Sequence, residues 1–214
     1  MGSPLARVNV RADAWDLIWS FVHRALTVNL GLAVACSPLL LALAVVADPL
    51  SYPLFFGLLG LSVGPALAAA FAYLQAEDPS VRSFFHSYRR LARRALLPWA
   101  LTLAVLGILV TDVVVLHDTT PGAALVPLLA VLAVLALSTG LVRQVYPSVP
   151  LRTALYATIR RPQLTLLSLV VLAAAAVIVN QVPLAGLATV PGCALWVVLV
   201  NIRIQLAGVA EATA

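Results

Sequence analysis

Charged residues are scarce in this chain. Only 10% of its 214 residues are charged, whereas 63% are hydrophobic. Soluble domains carry about 25% charged and 45–50% apolar residues, and the core of a soluble domain this size cannot enclose so large an apolar excess. The composition therefore excludes an ordinary soluble protein and predicts one that is embedded in a lipid bilayer.

Lysine is absent, so all 13 basic residues are arginines. The guanidinium group stays charged in essentially every protein environment and matches the geometry of phosphate. The arginines lie in short segments between apolar runs and form no separate basic domain, which argues against a nucleic-acid-binding protein. We expect their partners to include the anionic headgroups of the bilayer.

Cysteine is also rare, and both cysteines, Cys36 and Cys193, lie inside apolar runs. Such cysteines behave as small hydrophobic side chains, so neither a disulfide nor a metal site is predicted. The chain also lacks an HExxH motif, a phosphate-binding loop and a nucleophile motif. We therefore predict no cofactor and no enzymatic activity.

Six apolar stretches approach the roughly 20 residues that a helix needs to cross a bilayer. They cover residues 26–46, 52–74, 95–116, 123–142, 164–182 and 184–200. Only a Val182-Pro183 turn separates the last two, so two full spans and one re-entrant pair remain alternatives. The sequence predicts a single all-α domain, a polytopic transmembrane helical bundle of about six spans.

The arginines alternate between the connections of this six-span arrangement. All of them fall before the first stretch, between the second and third, between the fourth and fifth, or after the sixth. Cytoplasmic loops are enriched in basic residues near the ends of spans. The distribution therefore predicts that both termini lie in the cytoplasm.

Two amphipathic segments predict interfacial helices. In residues 80–94, an apolar stripe is opposed by four basic residues, Arg89, Arg90, Arg93 and Arg94, which is typical of a helix lying on an anionic membrane surface. Contact with a cytoplasmic partner is the alternative. In residues 10–23, Trp15 and Trp19 share one stripe, as in a helix anchored at the headgroup level.

Two Gly-Pro elements interrupt the apolar stretches, Gly64-Pro65 in the second and Pro191-Gly192 in the sixth. Proline removes one backbone hydrogen bond, and small residues allow helices to approach closely. We expect breaks that serve helix packing. Paired breaks in two halves of a chain are also a feature of transporter binding sites, which remains the alternative.

Four polar side chains are predicted on the side opposite the arginines: Asp48, Asp112, His117 and Asp118. Asp112 is the one ionisable residue clearly within an apolar stretch, and intramembrane carboxylates are often functional. Together the four residues form a possible polar or solute site that would bind a cation or sugar hydroxyls. Acid–base chemistry by the same residues is the least favoured interpretation.

Several motifs together resemble one family. They are Asn29 in the first stretch, "GPALAAAFAYL" at Gly64–Leu74, "SFFHSYRRLARRALLPW", "LVTDVVVL" at Leu109–Leu116, and the later "YPSVPLRTALYATIRRPQLTLLSLVVL" and "PGCALWVVLVN". In this order they resemble the YesL-like family of bacterial integral membrane proteins, which are mostly of unknown function and are often encoded beside carbohydrate uptake systems.

The resemblance implies a location in the bacterial plasma membrane and a non-catalytic accessory role in carbohydrate uptake. The implied partners are permease subunits of an ABC-type sugar transporter. The broken stretches and Asp112 leave a small autonomous transporter or channel as the alternative. An outer-face enzyme is less favoured.

Overall fold

A computed structural model describes the backbone of residues 10–77, 80–116 and 122–213. It is 91% helical, and no strand occurs in these ranges. In chain order the helices are α1 (Val10–Ala35), α2 (Ser37–Val45), α3 (Pro53–Gly60), α4 (Val63–Gln75), α5 (Val81–Leu116), α6 (Gly122–Val145), α7 (Leu151–Arg160), α8 (Pro162–Gln181) and α9 (Pro183–Thr213). A short 3₁₀ turn, Pro49–Ser51, joins α2 to α3.

Six helical segments among the described residues are long and apolar enough to cross a membrane. They are Ile18–Ala35, Pro53–Gln75, Val81–Leu116, Leu125–Val145, Pro162–Gln181 and Pro183–Val209. The prediction of an all-α protein with six candidate spans is therefore confirmed. The last two are separate helices of 20 and 27 residues, and at 1.5 Å per residue each reaches about 30 Å or more, the thickness of the hydrocarbon core.

The first candidate span lies earlier than the predicted stretch 26–46. Residues 10–23 form the first half of α1 and not a separate helix, while the chain kinks at Cys36. Proline supplies no N–H group, so Pro38 leaves the carbonyl of Val34 without its usual donor. The Ser37 hydroxyl donates to that carbonyl at 2.9 Å, which keeps the kink free of an unpaired polar group.

The segment 80–94 also differs from its prediction, because from Val81 onward it is continuous with the third span in a single helix of 36 residues, α5. No glycine or proline interrupts residues 81–97, so nothing in the sequence ends the helix at the span boundary. Phe84 is fully buried, and its ring lies edge-on to Tyr73 at a centroid distance of 6.2 Å. The apolar stripe thus packs partly against α4.

Helix α7 was not predicted from the sequence. It is an amphipathic helix of 10 residues, too short to cross a bilayer. Ala154, Ala157 and Thr158 are buried on one side, whereas Leu151, Leu155 and Ile159 are exposed. Arginines interrupt this region of the sequence, so no apolar run marked it.

Helix α9 occupies the centre of the bundle, where it packs against α1, α4, α7 and α8. Buried polar side chains join it to α8. Asn201 donates to the Ser168 hydroxyl at 3.0 Å, and Gln205 donates to the Thr165 hydroxyl at 3.0 Å. One turn separates the two contacts on each helix, so together they set the register of an antiparallel pair.

A third polar contact joins α9 to α1 at Pro191. The amide of Asn29 donates to the carbonyl of Ala188 at 2.6 Å and accepts from the N–H of Gly192 at 2.5 Å. In an uninterrupted helix those two backbone groups are partners of one another. Asn29 therefore satisfies both ends of a backbone hydrogen-bond pair that lies beside a proline.

We predict that Asn29→Leu lowers the free energy of unfolding by about 1–3 kcal/mol, because the buried N–H of Gly192 and the carbonyl of Ala188 lose their side-chain partner. Equilibrium unfolding in mixed micelles would measure the change. Asn180→Leu is the matched control, because Asn180 is exposed on α8, and there we expect a change within about 0.5 kcal/mol. Equal losses in the two variants would contradict the assignment.

Candidate functional site

The predicted outer-face residues are only partly described. Asp48 lies in the turn after α2 and accepts a hydrogen bond from the Ser51 hydroxyl at 2.6 Å. Asp112, in the last turns of α5, lines a cleft of about 630 Å³ between α3 and α5. His117 and Asp118 lie outside the described residues.

The cleft beside Asp112 is mainly apolar. Apart from Asp112 and Thr111, its lining consists of aliphatic residues, glycine and proline. Asp48 is not among the lining residues, so the structure does not bring the two described carboxylates together there. Within the described ranges, no group of three or more His, Cys, Asp or Glu side chains is arranged to hold a metal ion.

The Gly64-Pro65 element marks a true interruption of the second span. Helix α3 ends at Gly60 and α4 begins at Val63. Between them, the N–H groups of Leu61 and Ser62 bond to carbonyls three residues earlier, at 3.2 and 3.1 Å, which is the tighter 3₁₀ pattern.

Trp99 of α5 occupies this interruption. Its indole N–H donates to the carbonyl of Gly60 at 3.0 Å. A Cβ atom added to Gly64 would lie only 2.5 Å from Cβ of Trp99. The absence of a side chain at Gly64 therefore lets α4 and α5 approach closely, and the indole satisfies a carbonyl at the break.

Contrary to the prediction, the Pro191-Gly192 element does not interrupt its helix, because α9 runs continuously from Pro183 to Thr213. It is instead a point of close approach to α1. A Cβ atom at Gly192 would lie 2.7 Å from the carbonyl oxygen of Ala25 in α1. Backbone groups beside the two Gly-Pro elements are thus bonded to side chains of neighbouring helices, Trp99 and Asn29.

Three arginines bond to backbone carbonyls of distant segments of the chain. Arg24 donates to the carbonyls of Ala76 and Glu77, at 3.2 and 2.6 Å, just beyond the end of α4. Arg160 donates to Gly208, and Arg161 donates to Ile204 at 3.3 Å. Hydrogen bonds from a charged donor are stronger than neutral ones, so these arginines stabilise the fold.

A different set of three arginines lines a cavity. Arg93 and Arg94 of α5 and Arg143 of α6 surround about 450 Å³, together with Leu97, Pro98, Pro147 and Ser148. We call this cavity the arginine pocket. Its described lining contains no carboxylate, and the buried Nε of Arg143 has no hydrogen-bond partner. Three cationic groups around one space favour an anion there.

The sequence indicated only part of this pocket. Arg89 and Arg90, which were grouped with Arg93 and Arg94, are exposed and do not line it. Arg143 was missed because it lies in another helix. The contact that brings the two helices together is buried Gln144, whose amide donates to the carbonyl of Ala95 at 3.2 Å. The one indication in the sequence is that Arg143 directly follows the apolar stretch 123–142.

Comparison with known proteins identifies no relative. The chain matches no protein-family model, and neither the curated proteins nor the solved structures include a significant match. Functional inference for this chain therefore rests on its own residues and on the motif resemblance described above.

We predict that Gly64→Ala lowers the free energy of unfolding by about 1–3 kcal/mol, because the new methyl group would overlap Trp99. Gly57→Ala is the matched control within the same span, since a Cβ atom at Gly57 meets nothing within 4 Å. There we expect no loss, or a gain of up to about 1 kcal/mol from helix propensity. Equilibrium unfolding in micelles measures both, and similar losses would refute the packing role of Gly64.

Proposed function

We propose that this chain is a non-catalytic membrane protein that assists an ABC-type carbohydrate transporter by binding its permease subunits. In this proposal it is a multi-pass protein of the bacterial plasma membrane with both termini in the cytoplasm. The substrate class and partner come from the resemblance to YesL-like proteins. The site of action comes from the geometry of α5.

The observation that carries the proposal is the basic N-terminal part of α5. The helix is about 54 Å long at 1.5 Å per residue, much longer than the roughly 30 Å hydrocarbon core. The hydrogen bond from Gln144 to Ala95 places the C-terminal end of α6 beside residue 95 of α5. Residues 81–94 of α5 therefore extend about 20 Å beyond the end of α6. Arg82, Arg89 and Arg90 are exposed on this extension, where an acidic partner surface can reach them.

The placement of the arginines supports the proposed orientation. Arg24 lies beside the C-terminal end of α4, Arg143 lies at the C-terminal end of α6, and Arg161 contacts the C-terminal part of α9. In a bundle of alternating spans these ends belong to the same side. The positive-inside tendency then favours the cytoplasm for that side.

A non-catalytic role is supported by the use of polar side chains inside the bundle. Buried Asn29, Gln144, Asn201 and Gln205 each donate to a backbone carbonyl or to a hydroxyl on another helix. Such contacts hold helices together in a membrane. The side-chain donors of these four residues are therefore used in structural contacts.

Purification of the tagged full chain from native membranes in mild detergent tests the proposal. We expect permease subunits to accompany the wild-type chain. With Arg89→Gln/Arg90→Gln their recovery should fall about 2- to 30-fold, because two exposed ion pairs contribute about 0.2–1 kcal/mol each. The matched control is Arg152→Gln/Arg203→Gln, which removes two exposed arginines elsewhere and should retain the partner.

Absence of permease subunits from the wild-type sample would overturn the accessory role. Equal losses in the two double variants would remove α5 as the binding surface. The first outcome favours the alternative of autonomous transport, for which solute flux through liposomes containing the purified chain, with Asp112→Asn as the first variant, is the direct measurement.

A further inference from the structure

The arginine pocket opens onto an apolar groove. The groove has a volume of about 480 Å³, and it shares Pro98 and Arg143 with the pocket. Its walls come from three helices, including Leu101 and Val105 of α5, Leu132 and Leu135 of α6, and Leu155 and Ile159 of α7. We call it the α5–α7 groove. Cationic and apolar surfaces thus follow one another without a gap.

Helix α7 explains the apolar character of the groove. Leu151, Leu155 and Ile159 recur every four residues, which places them on one face of the helix, and all three line the groove. Their exposed fractions are 58%, 40% and 54%. Aliphatic side chains exposed in a row mark a surface that contacts apolar material, which for a membrane protein is lipid.

Helix α6 places a hydroxyl side chain next to the arginine that the pocket and the groove share. Thr139 lies one helical turn from Arg143, on the same face of α6, and both line the groove. The Thr139 residue is only 6% exposed, and its hydroxyl oxygen is buried without a hydrogen-bond partner. A buried hydroxyl without a partner is unfavourable, so once the side chain turns toward the groove, a ligand carrying an acceptor one turn away from its anionic group would satisfy it.

We infer that the arginine pocket and the α5–α7 groove bind one anionic phospholipid. The phosphate lies among Arg93, Arg94 and Arg143, where guanidinium groups form charge-assisted hydrogen bonds to its oxygens. An ester carbonyl next to the glycerol accepts from the Thr139 hydroxyl, and an acyl chain follows the groove. This inference is independent of the proposed carbohydrate-transport role.

The charge of the pocket selects the lipid class. Three arginines without a carboxylate in the described lining favour a headgroup with net negative charge over a zwitterionic one, whose ammonium group would meet like charges. The groove favours a ligand larger than a small anion, because inorganic phosphate would leave the apolar walls and Thr139 without a contact.

Native mass spectrometry of the full chain in detergent tests the inference by titration with phosphatidylglycerol. We expect one lipid per chain and an apparent dissociation constant that rises about tenfold or more with Arg143→Gln. Arg152→Gln, the matched control on α7, removes an exposed arginine outside the pocket and should leave the constant unchanged.

Thr139→Val separates lipid binding from folding. It removes a hydroxyl that has no protein partner, so the folded state loses no contact. We expect phosphatidylglycerol to bind about 2- to 10-fold more weakly, as for the loss of one neutral hydrogen bond. Unchanged affinity in this variant would overturn the placement of the ester group.

Three competing ligands complete the test. Each of them should bind at least about tenfold more weakly than phosphatidylglycerol. Phosphatidylcholine lacks the net charge, sodium oleate lacks the phosphate, and inorganic phosphate lacks the acyl chain. Equal binding of any one of them would overturn the inference in favour of a general lipid, fatty-acid or free-phosphate site. If Arg143→Gln and Arg152→Gln weakened phosphatidylglycerol binding equally, the binding would be diffuse electrostatic attraction and the inferred site would be refuted.

Discussion

Backbone polar groups that lipid cannot solvate are the constraint on which this fold depends. The hydrocarbon core of a bilayer offers no water to an unpaired N–H or carbonyl, yet prolines lie inside the second, third, fourth and sixth candidate spans and just beyond the first. At two of these places a side chain supplies the missing partner: Ser37 for Val34 and Trp99 for Gly60. At Pro191, Asn29 of α1 bonds to both Ala188 and Gly192 of α9. The contacts made by Trp99 and Asn29 join helices that pack side by side.

The number of candidate spans could be predicted from the sequence because length and apolar content suffice to identify a membrane-crossing helix. Joined or divided helices could not be predicted in the same way. Hydropathy alone places a boundary where arginines begin, yet α5 continues through Arg93 and Arg94, because no glycine or proline interrupts residues 81–97 and Phe84 packs in the core. Helix α7 could not be predicted from hydropathy, because its apolar residues lie along one face and form no continuous apolar run in the sequence.

The candidate site illustrates a second limit of sequence reasoning. Arg93 and Arg94 were visible as a basic cluster, whereas Arg143 joins them only through the packing of α5 against α6. Arg24, Arg160 and Arg161 look equivalent to them in the sequence, but they bond to helix carbonyls. Arginines that bond to the protein backbone and arginines that line the pocket differ in their neighbouring groups. Those neighbours come from distant parts of the chain, so the sequence alone does not identify them.

The contact between Asn29 and Gly192 spans 163 residues of sequence, and this separation bears on how the protein is made. Chains emerge from the ribosome at about 5–20 residues per second, so α1 waits roughly 8–33 s for its partner in α9. Throughout that interval the amide of Asn29 has no α9 backbone to bond. The contact between α1 and α9 therefore forms only after residue 192 has been synthesised, which makes this closure of the bundle a late, post-insertion event.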